Sequence, residues 1–237
     1  MRRKKRNSPL CRALTLLLIL LVLAVGVMLI VRAYQTGRLD WALEDESAPE
    51  GLEALELDPE GEIRLVGVMT FSGSFYEDGS NDKVEKVLTV LLENTGLKAV
   101  ESATLVLNGC YEFRFTSLLP GQKLYVLEAN RAVFTEGLAI DSAVFSELLY
   151  YDGCPGLYES VLSIEGENGK LTVRNITDDV LFPGGTLYYK NLYNGSLLGG
   201  ITYSVELPPL IPGGKTEVAA KNYRKAASGA VFVEEKE

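Results

Sequence analysis

Residues 103–116 read ATLVLNGCYEFRFT and carry the clearest indication of secondary structure in the chain. Two runs of alternating side chains flank an Asn-Gly pair at 108–109, and this dipeptide is the strongest short-range signal for a tight β-hairpin. Tyr111, Phe113 and Phe115 fall on one face, because successive side chains of a strand point to opposite sides. The stretch therefore predicts two antiparallel strands whose aromatic face turns towards a core.

Short strand patterns continue on both sides of this hairpin. Residues 87–92 form a nearly continuous apolar run that stops at an Asn-Thr-Gly turn, and a Pro-Gly turn at 120–121 precedes a closing strand. Further strands are predicted at residues 171–173, 186–189, 201–205, 217–220 and 230–233. Several short strands at regular spacing are typical of a β-sandwich. Residues 139–150 depart from this pattern and predict a short linking helix.

The chain also repeats itself. Residues 88–90 recur as 171–173, 104–105 with Tyr111 recur as 186–187 with Tyr193, 119–123 recur as 211–215, and 71–79 more weakly resemble 145–153. Because the matches keep their order, and their offsets change where loops are expected, they indicate a tandem repeat. We place β-sandwich domain 1 at residues 62–134, a linker at 135–157 and β-sandwich domain 2 at 158–237.

The order of these elements resembles bacterial immunoglobulin-like domains of the cell-adhesion-related kind. In such domains a strand ends in an Asn-rich turn and a Pro-Gly turn precedes the last strands. Here the match covers residues 87–96 and 104–126, with a second copy at 171–177 and 186–218 that lacks the Asn-Thr-Gly triplet. The chain as a whole also looks like single-pass envelope proteins of Gram-positive type. The resemblance implies tandem Ig-like antiparallel sandwiches in a surface interaction module, and it carries over no catalytic residue.

The N-terminal residues predict a membrane anchor. Nineteen uncharged residues, 13–31, separate Arg12 from Arg32. As a helix they would span roughly 28 Å, close to the hydrocarbon thickness of a bilayer of about 30 Å. We therefore predict a basic cytoplasmic tip at residues 1–12 and a transmembrane helix at 13–32. A cleaved signal peptide stays open as the alternative, although the apolar run exceeds the roughly 7–15 residues usual for one.

Charges around the span predict its orientation. The topology-determining residues before it are all basic: Arg2, Arg3, Lys4, Lys5, Arg6 and Arg12. Residues 39–62, by contrast, hold ten acids and no base. The positive-inside rule then places the N-terminus in the cytoplasm and the C-terminal domains outside the cell membrane. Residues 33–61 form a predicted acidic stalk, extended because its charges repel one another.

The composition excludes several kinds of catalytic and metal-binding site. The 237 residues include no His, three Cys, and 23 basic against 32 acidic side chains, with a sequence pI near 4.8. Without His there is no Ser-His-Asp or Cys-His catalysis, and three Cys without a C-x-x-C pair cannot build a Cys₄ zinc site. The acidity argues against nucleic acid as a partner. We expect no catalytic residue, metal or cofactor, and a protein that is not an enzyme.

Two polar patterns still suggest sites. Cys110 and Cys154 are the two cysteines after the predicted membrane span, and an oxidising exterior would allow a disulfide between them. Asp78, Ser80 and Asp82 have the spacing of the first ligands of a calcium loop. The Gly and Glu that complete such a loop are absent, so a polar hairpin loop is the favoured interpretation.

Three tyrosines are candidate ligand contacts: Tyr188, Tyr189 and Tyr193. Tyr188 and Tyr189 are neighbours on a predicted strand, so they should face opposite sides. The favoured function is a membrane-anchored, extracytoplasmic interaction or scaffold protein of the cell envelope, whose partner is an envelope protein or a wall polymer. The alternative is a glycan- or wall-polymer-binding module that uses exposed tyrosines.

Overall fold

A computed structural model describes residues 55–57, 62–135 and 137–236 of the chain. The predicted cytoplasmic tip with its six basic residues, the predicted transmembrane helix and most of the predicted stalk lie outside these residues. Across the described ranges, no helix has the length and apolar character required to span a bilayer.

The described residues are mainly β-strand. A short first strand, β1 (Leu55–Glu56), precedes two sets of six. The first set is β2 (Ile63–Ser74), β3 (Lys83–Asn94), β4 (Val100–Leu107), β5 (Tyr111–Leu118), β6 (Lys123–Leu127) and β7 (Ala143–Tyr150). The second set is β8 (Leu162–Glu167), β9 (Lys170–Asn175), β10 (Gly185–Tyr193), β11 (Ser196–Leu207), β12 (Lys215–Ala219) and β13 (Ser228–Glu235).

These strands form three sheets in which one topology occurs twice. Their orders are β1-β2-β3-β6-β11-β10-β13, β5-β4-β7 and β12-β9-β8. Within the first set, β2-β3-β6 and β5-β4-β7 are neighbours, and the second set repeats this as β8-β9-β12 and β11-β10-β13. Each strand of the first set thus corresponds to the strand six places later.

The two sets share the seven-stranded sheet through a short parallel contact. Strand β6 pairs with β11 at Leu124↔Leu197 and Tyr125↔Leu198, whereas the other strand pairs are antiparallel. Each of these edge strands is therefore covered by the other over a short stretch, which leaves less open sheet edge for pairing with other chains.

Alternating side chains divide the apolar residues into separate cores. The largest core lies between the seven-stranded sheet and the β5-β4-β7 sheet, and it includes Leu92, Leu105 and Phe113. A second core, around Leu171 and Leu187, lies under the β12-β9-β8 sheet. A third group of buried apolar residues occupies the other face of β2, β3 and β6: Phe71, Phe75, Val87, Tyr125, Leu127 and Leu198.

The hairpin predicted from residues 103–116 is confirmed. Strands β4 and β5 pair in antiparallel register from Val100↔Leu118 to Leu107↔Tyr111. Asn108 and Gly109 have φ values of 51° and 67°, as a type I′ turn requires at both central positions. Phe113 and Phe115 are buried and belong to the largest core, so the aromatic face points inwards as expected.

The helix predicted at residues 139–150 is wrong. Residues 143–150 form strand β7, which pairs with β4 from Ala143↔Leu107 to Tyr150↔Val100. The Ser-Glu-Leu-Leu stretch has good local helix formers, but the open edge of β4 offers backbone partners and a core surface for alternate side chains, and this outweighs propensity. The weak repeat match of 71–79 with 145–153 is wrong too, since these segments contain parts of β2 and β7, which are not equivalent strands.

Two buried asparagines occupy equivalent places in the two sets. Asn94 ends β3 and donates through Nδ2 to the Leu118 carbonyl at 2.9 Å. Asn175 ends β9 and donates to the Leu210 carbonyl at 3.0 Å. Each side chain thereby ties a strand end to the segment before a Pro-Gly turn. Aligning the two asparagines places strand β9 at an offset of 81 residues from β3. The sequence match of residues 88–90 with 171–173 implies an offset of 83, which is two residues longer.

Candidate functional site

The structure places both candidate cysteines at the surface. Cys110 follows the β4–β5 turn and Cys154 lies in the segment after β7; both are exposed free thiols. The possible disulfide between them is not formed in this structure.

The three candidate tyrosines do not form one surface. Tyr189 is only 2% exposed and stacks against Tyr203 in the second core at 5.4 Å between ring centroids, so it is not available to a ligand. Tyr188 lies on the opposite face, as expected for its neighbour, and is half-buried. Tyr193 is exposed and packs edge-on against Phe71 and Tyr125, away from Tyr188.

The loop with calcium-like spacing binds an arginine. The Arg131 guanidinium contacts the carboxylates of Asp78 and Asp82 at 2.6 and 3.1 Å, and it lies 4.5 Å from the ring centroid of Phe75. Hydrogen bonds from Ser80 and then from Arg131 lower the pKa of Asp78 to about 2. Throughout the described ranges, no three potential metal-ligating side chains converge.

A groove beside β13 is the best candidate for a binding site. It has a volume of about 580 Å³ and is open to solvent. Its walls are the end of β13, the start of β4 and the segment after β7. Aromatic and acidic side chains dominate its lining: Tyr150, Tyr151, Tyr158, Phe232, Glu101, Asp152, Glu234 and Glu235.

The segment after β7 is held in place by its backbone. Val233 on β13 donates its N–H to the Gly156 carbonyl at 2.9 Å. Tyr158 has a φ of 54°, a left-handed conformation that is uncommon outside glycine. Its carbonyl accepts the N–H groups of Val161 and Leu162, each at 2.7 Å. These bonds hold the Tyr158 backbone, while its side chain lines the groove.

The aromatic floor of the groove is prearranged by ring contacts. Tyr188 stacks on Phe232 with 4.4 Å between centroids, and its hydroxyl donates to a Glu234 carboxylate oxygen at 2.9 Å. Tyr151 packs edge-on against Phe232, and its hydroxyl shares a hydrogen bond with Ser117. Burial, together with Glu234, raises the pKa of Tyr188 to about 12. Tyr188 thus supports the groove without being part of its lining.

The groove is rich in carboxylates that form no ion pair with another described residue. Of the ion pairs between described residues, none involves Glu101, Asp152, Glu234 or Glu235. One cation lies near the rim, where Lys98 Nζ is 5.4 Å from the ring centroid of Tyr150. Four exposed carboxylates beside aromatic rings give the groove a negative potential that favours cations.

A second polar cluster, which the sequence analysis missed, lies at the junction of the two strand sets. Glu77 accepts the N–H of Leu127 on β6 and the N–H of Gly200 on β11. Lys190 on β10 has no solvent exposure and donates to the carbonyls of Gly199, Gly200 and Ile201 at 3.1, 2.9 and 3.1 Å.

The junction exists because β11 bulges against β10. The register passes from Tyr189↔Tyr203 to Asn191↔Leu198, so four residues, 199–202, face Lys190 alone. The bulge leaves carbonyls without ladder partners, and the ammonium group satisfies three of them. Burial raises the pKa of Glu77 to about 7 and lowers that of Lys190 to about 7. Because both groups are occupied by backbone partners, the cluster is structural. The Gly-Gly pair at 199–200 was its one visible sequence signal.

Comparison with known proteins adds no assignment: no family model matches the chain, and no curated protein matches it.

Proposed function

We propose that this chain is a membrane-anchored, extracytoplasmic interaction protein of the cell envelope that has no catalytic role. In this proposal residues 13–32 anchor it, with the N-terminus in the cytoplasm, and residues 33–61 act as an acidic stalk. The stalk carries two tandem Ig-like antiparallel sandwiches, one built from each set of six strands. The strand order that occurs twice is consistent with such a tandem pair, and the charge pattern of the N-terminus supports the anchor.

The observation that carries the proposal is the open, acidic and aromatic groove. Its carboxylates are exposed, and its floor is held by the stacked rings of Tyr188 and Phe232. Aromatic residues are enriched in protein interfaces, where they bring large contact areas at small entropic cost. The groups whose pKa values approach neutrality, Glu77 and Lys190, bind backbone instead of facing this groove. A binding role therefore accounts for the carboxylates and aromatic side chains of the groove better than acid–base catalysis does.

Glycan binding is the second candidate function. The Tyr158 side chain favours it, because this side chain is 37% exposed and lines the groove together with several carboxylates. A tyrosine ring can stack on a sugar, and a carboxylate can accept hydrogen bonds from sugar hydroxyls. Retention of the protein on isolated peptidoglycan or wall polymer, with loss of retention in a Tyr158→Leu variant, would favour this candidate over protein contact.

The primary experiment is protease protection on intact cells, with an epitope tag at each end of the full chain. The proposal expects loss of the C-terminal tag only, with the N-terminal tag retained in the membrane fraction. Crosslinking before extraction should then recover an envelope protein as the partner. Appearance of a shortened chain in the medium would instead indicate a cleaved signal peptide and would contradict the anchor.

A further inference from the structure

We infer that the groove beside β13 binds a lysine or arginine side chain presented by an extended segment of a partner protein. This inference rests on the proposed function, because it specifies the partner chemistry for the same surface. The occupant is defined by charge and shape, a cationic side chain inserted between carboxylates and over aromatic rings.

The lining supplies both kinds of contact that such a cation needs. Glu101 and Glu234 lie close enough to Tyr151 to act on its hydroxyl electrostatically, and Glu235 does the same for Tyr158. Tyr151 and Tyr158 therefore each have a carboxylate nearby. A cation over a tyrosine face gains from the ring quadrupole, and a carboxylate beside it adds a charge-assisted hydrogen bond.

The protein already places two of its own cations over aromatic rings, and at one of these positions carboxylates bind the cation as well. Arg131 lies over Phe75 while Asp78 and Asp82 bind its guanidinium. The ammonium of Lys98 also lies over a tyrosine ring at the groove rim, at 5.4 Å from the centroid. The first site shows a complete arrangement of one ring, two carboxylates and one cation. The groove has the same components with four exposed carboxylates that form no ion pair among the described residues.

Shape and charge select a polypeptide over other occupants. Small ligands usually bury about 70–90% of their surface, which an open groove cannot do, whereas a protein segment needs to insert only a side chain. The four carboxylates repel an anionic wall polymer. The N–H of Val233 is already used by Gly156, so at that position the partner would not simply add a strand and would bind through side chains.

The test uses the full chain in detergent, immobilised for surface plasmon resonance. The probe is a peptide blocked at both ends, Gly-Ser-Arg-Gly-Lys-Ser-Gly. Its neutral match carries citrulline and acetyl-lysine in place of Arg and Lys. The inference expects the basic peptide to bind about ten-fold or more tightly than the neutral one. It also expects this binding to weaken as salt is raised.

Two triple variants locate the binding. The first variant combines Glu101→Gln, Glu234→Gln and Glu235→Gln. It should lower the association constant for the basic peptide about ten-fold or more. Gln at position 234 still accepts a hydrogen bond from the Tyr188 hydroxyl. The matched control is Glu85→Gln, Glu147→Gln and Glu165→Gln, which changes the net charge equally at exposed positions elsewhere. It should retain most of the binding. Thermal unfolding of both variants establishes that they are folded.

Several results would overturn the inference. These are equal binding of the basic and neutral peptides, equal losses in the two triple variants, or spermidine binding as tightly as the peptide. A failure of this kind is distinguishable from failure of the proposed function. Crosslinking to an envelope protein would persist in the first case and would be absent in the second.

Discussion

Glu77 and Lys190 bind the two polar groups of the same glycine. The Gly200 N–H donates to Glu77, and the Gly200 carbonyl accepts from Lys190. Glu77 also accepts the N–H of Leu127 on β6, so the acid connects the first strand set with the second just beyond their short parallel contact. The acidic and the basic side chain thus provide the hydrogen-bond partners that neighbouring strands cannot provide to this part of the backbone.

Lys190→Met should be strongly destabilising. The change removes the donor to three carbonyls and the positive charge that acts electrostatically on Glu77. Leaving a buried charge uncompensated in this way typically costs about 3–5 kcal/mol. Urea denaturation of the full chain measures the effect. The double variant with Glu77→Gln should lose less than the sum of the two single changes, because the second change removes a charge already uncompensated. Additive losses would show that the two side chains act independently.

Stability should depend on pH through Glu77. The pKa of its carboxyl in the folded protein is about 7, against 4.5 for an ordinary glutamate, so between these values the folded state holds more protons than the unfolded state. The free energy of unfolding contributed by this group is therefore fully present below about pH 4.5 and falls as the pH rises towards 7.

The comparison that isolates Glu77 is a Glu77→Gln variant unfolded at both ends of this pH range. Its free energy of unfolding should fall less between pH 4.5 and pH 7 than that of the unaltered chain. Parallel pH profiles for the two proteins would contradict the raised pKa.

Gly200→Ala should disrupt the junction directly. A Cβ atom at this position would clash with the Arg114 carbonyl and with the Glu77 carboxylate, so the backbone of β11 would have to move. We expect a loss of roughly 3 kcal/mol or more. The control is Gly153→Ala, where a Cβ atom would meet no atom within 4 Å. Similar melting temperatures for the two variants would show that the close approach is unimportant.

The two buried asparagines, Asn94 and Asn175, should contribute similarly to the free energy of unfolding. Asn94→Ala and Asn175→Ala each leave buried carbonyls without a donor, at a typical cost of about 1–3 kcal/mol. Asn222→Ala is the control, because this half-buried side chain makes no hydrogen bond to another described residue. Chemical denaturation of the three variants compares them. Losses of very different size at positions 94 and 175 would argue against an equivalent role.

Cys110 and Cys154 should both react with iodoacetamide without reductant. They are exposed free thiols in the structure, and access together with thiolate formation governs alkylation. Mass spectrometry of the peptides that contain them checks the result. Peptides that become alkylated only after reduction would restore the disulfide as a structural feature.

The candidate groove was only partly predictable. Tyr188 was identified as a candidate from its sequence neighbourhood, yet it forms the support under Phe232, while Tyr189 belongs to the second core. Glu234 and Glu235 belong to no sequence motif that would have predicted a binding site. They became part of a site because β13 lies beside the segment after β7, where Gly156 contacts Val233, 77 positions later in the chain.

Only local features of the fold follow from the amino-acid sequence alone. Side chains that alternate with a period of two, and an Asn-Gly pair that accepts positive φ, decide that residues 103–116 form a hairpin with Phe113 facing inwards. Tertiary structure decided the rest: that residues 143–150 form a strand, that β6 and β11 join two strand sets, and that Lys190 is buried. Those outcomes depend on which distant backbone edges satisfy one another away from water, and no local spacing encodes that pairing.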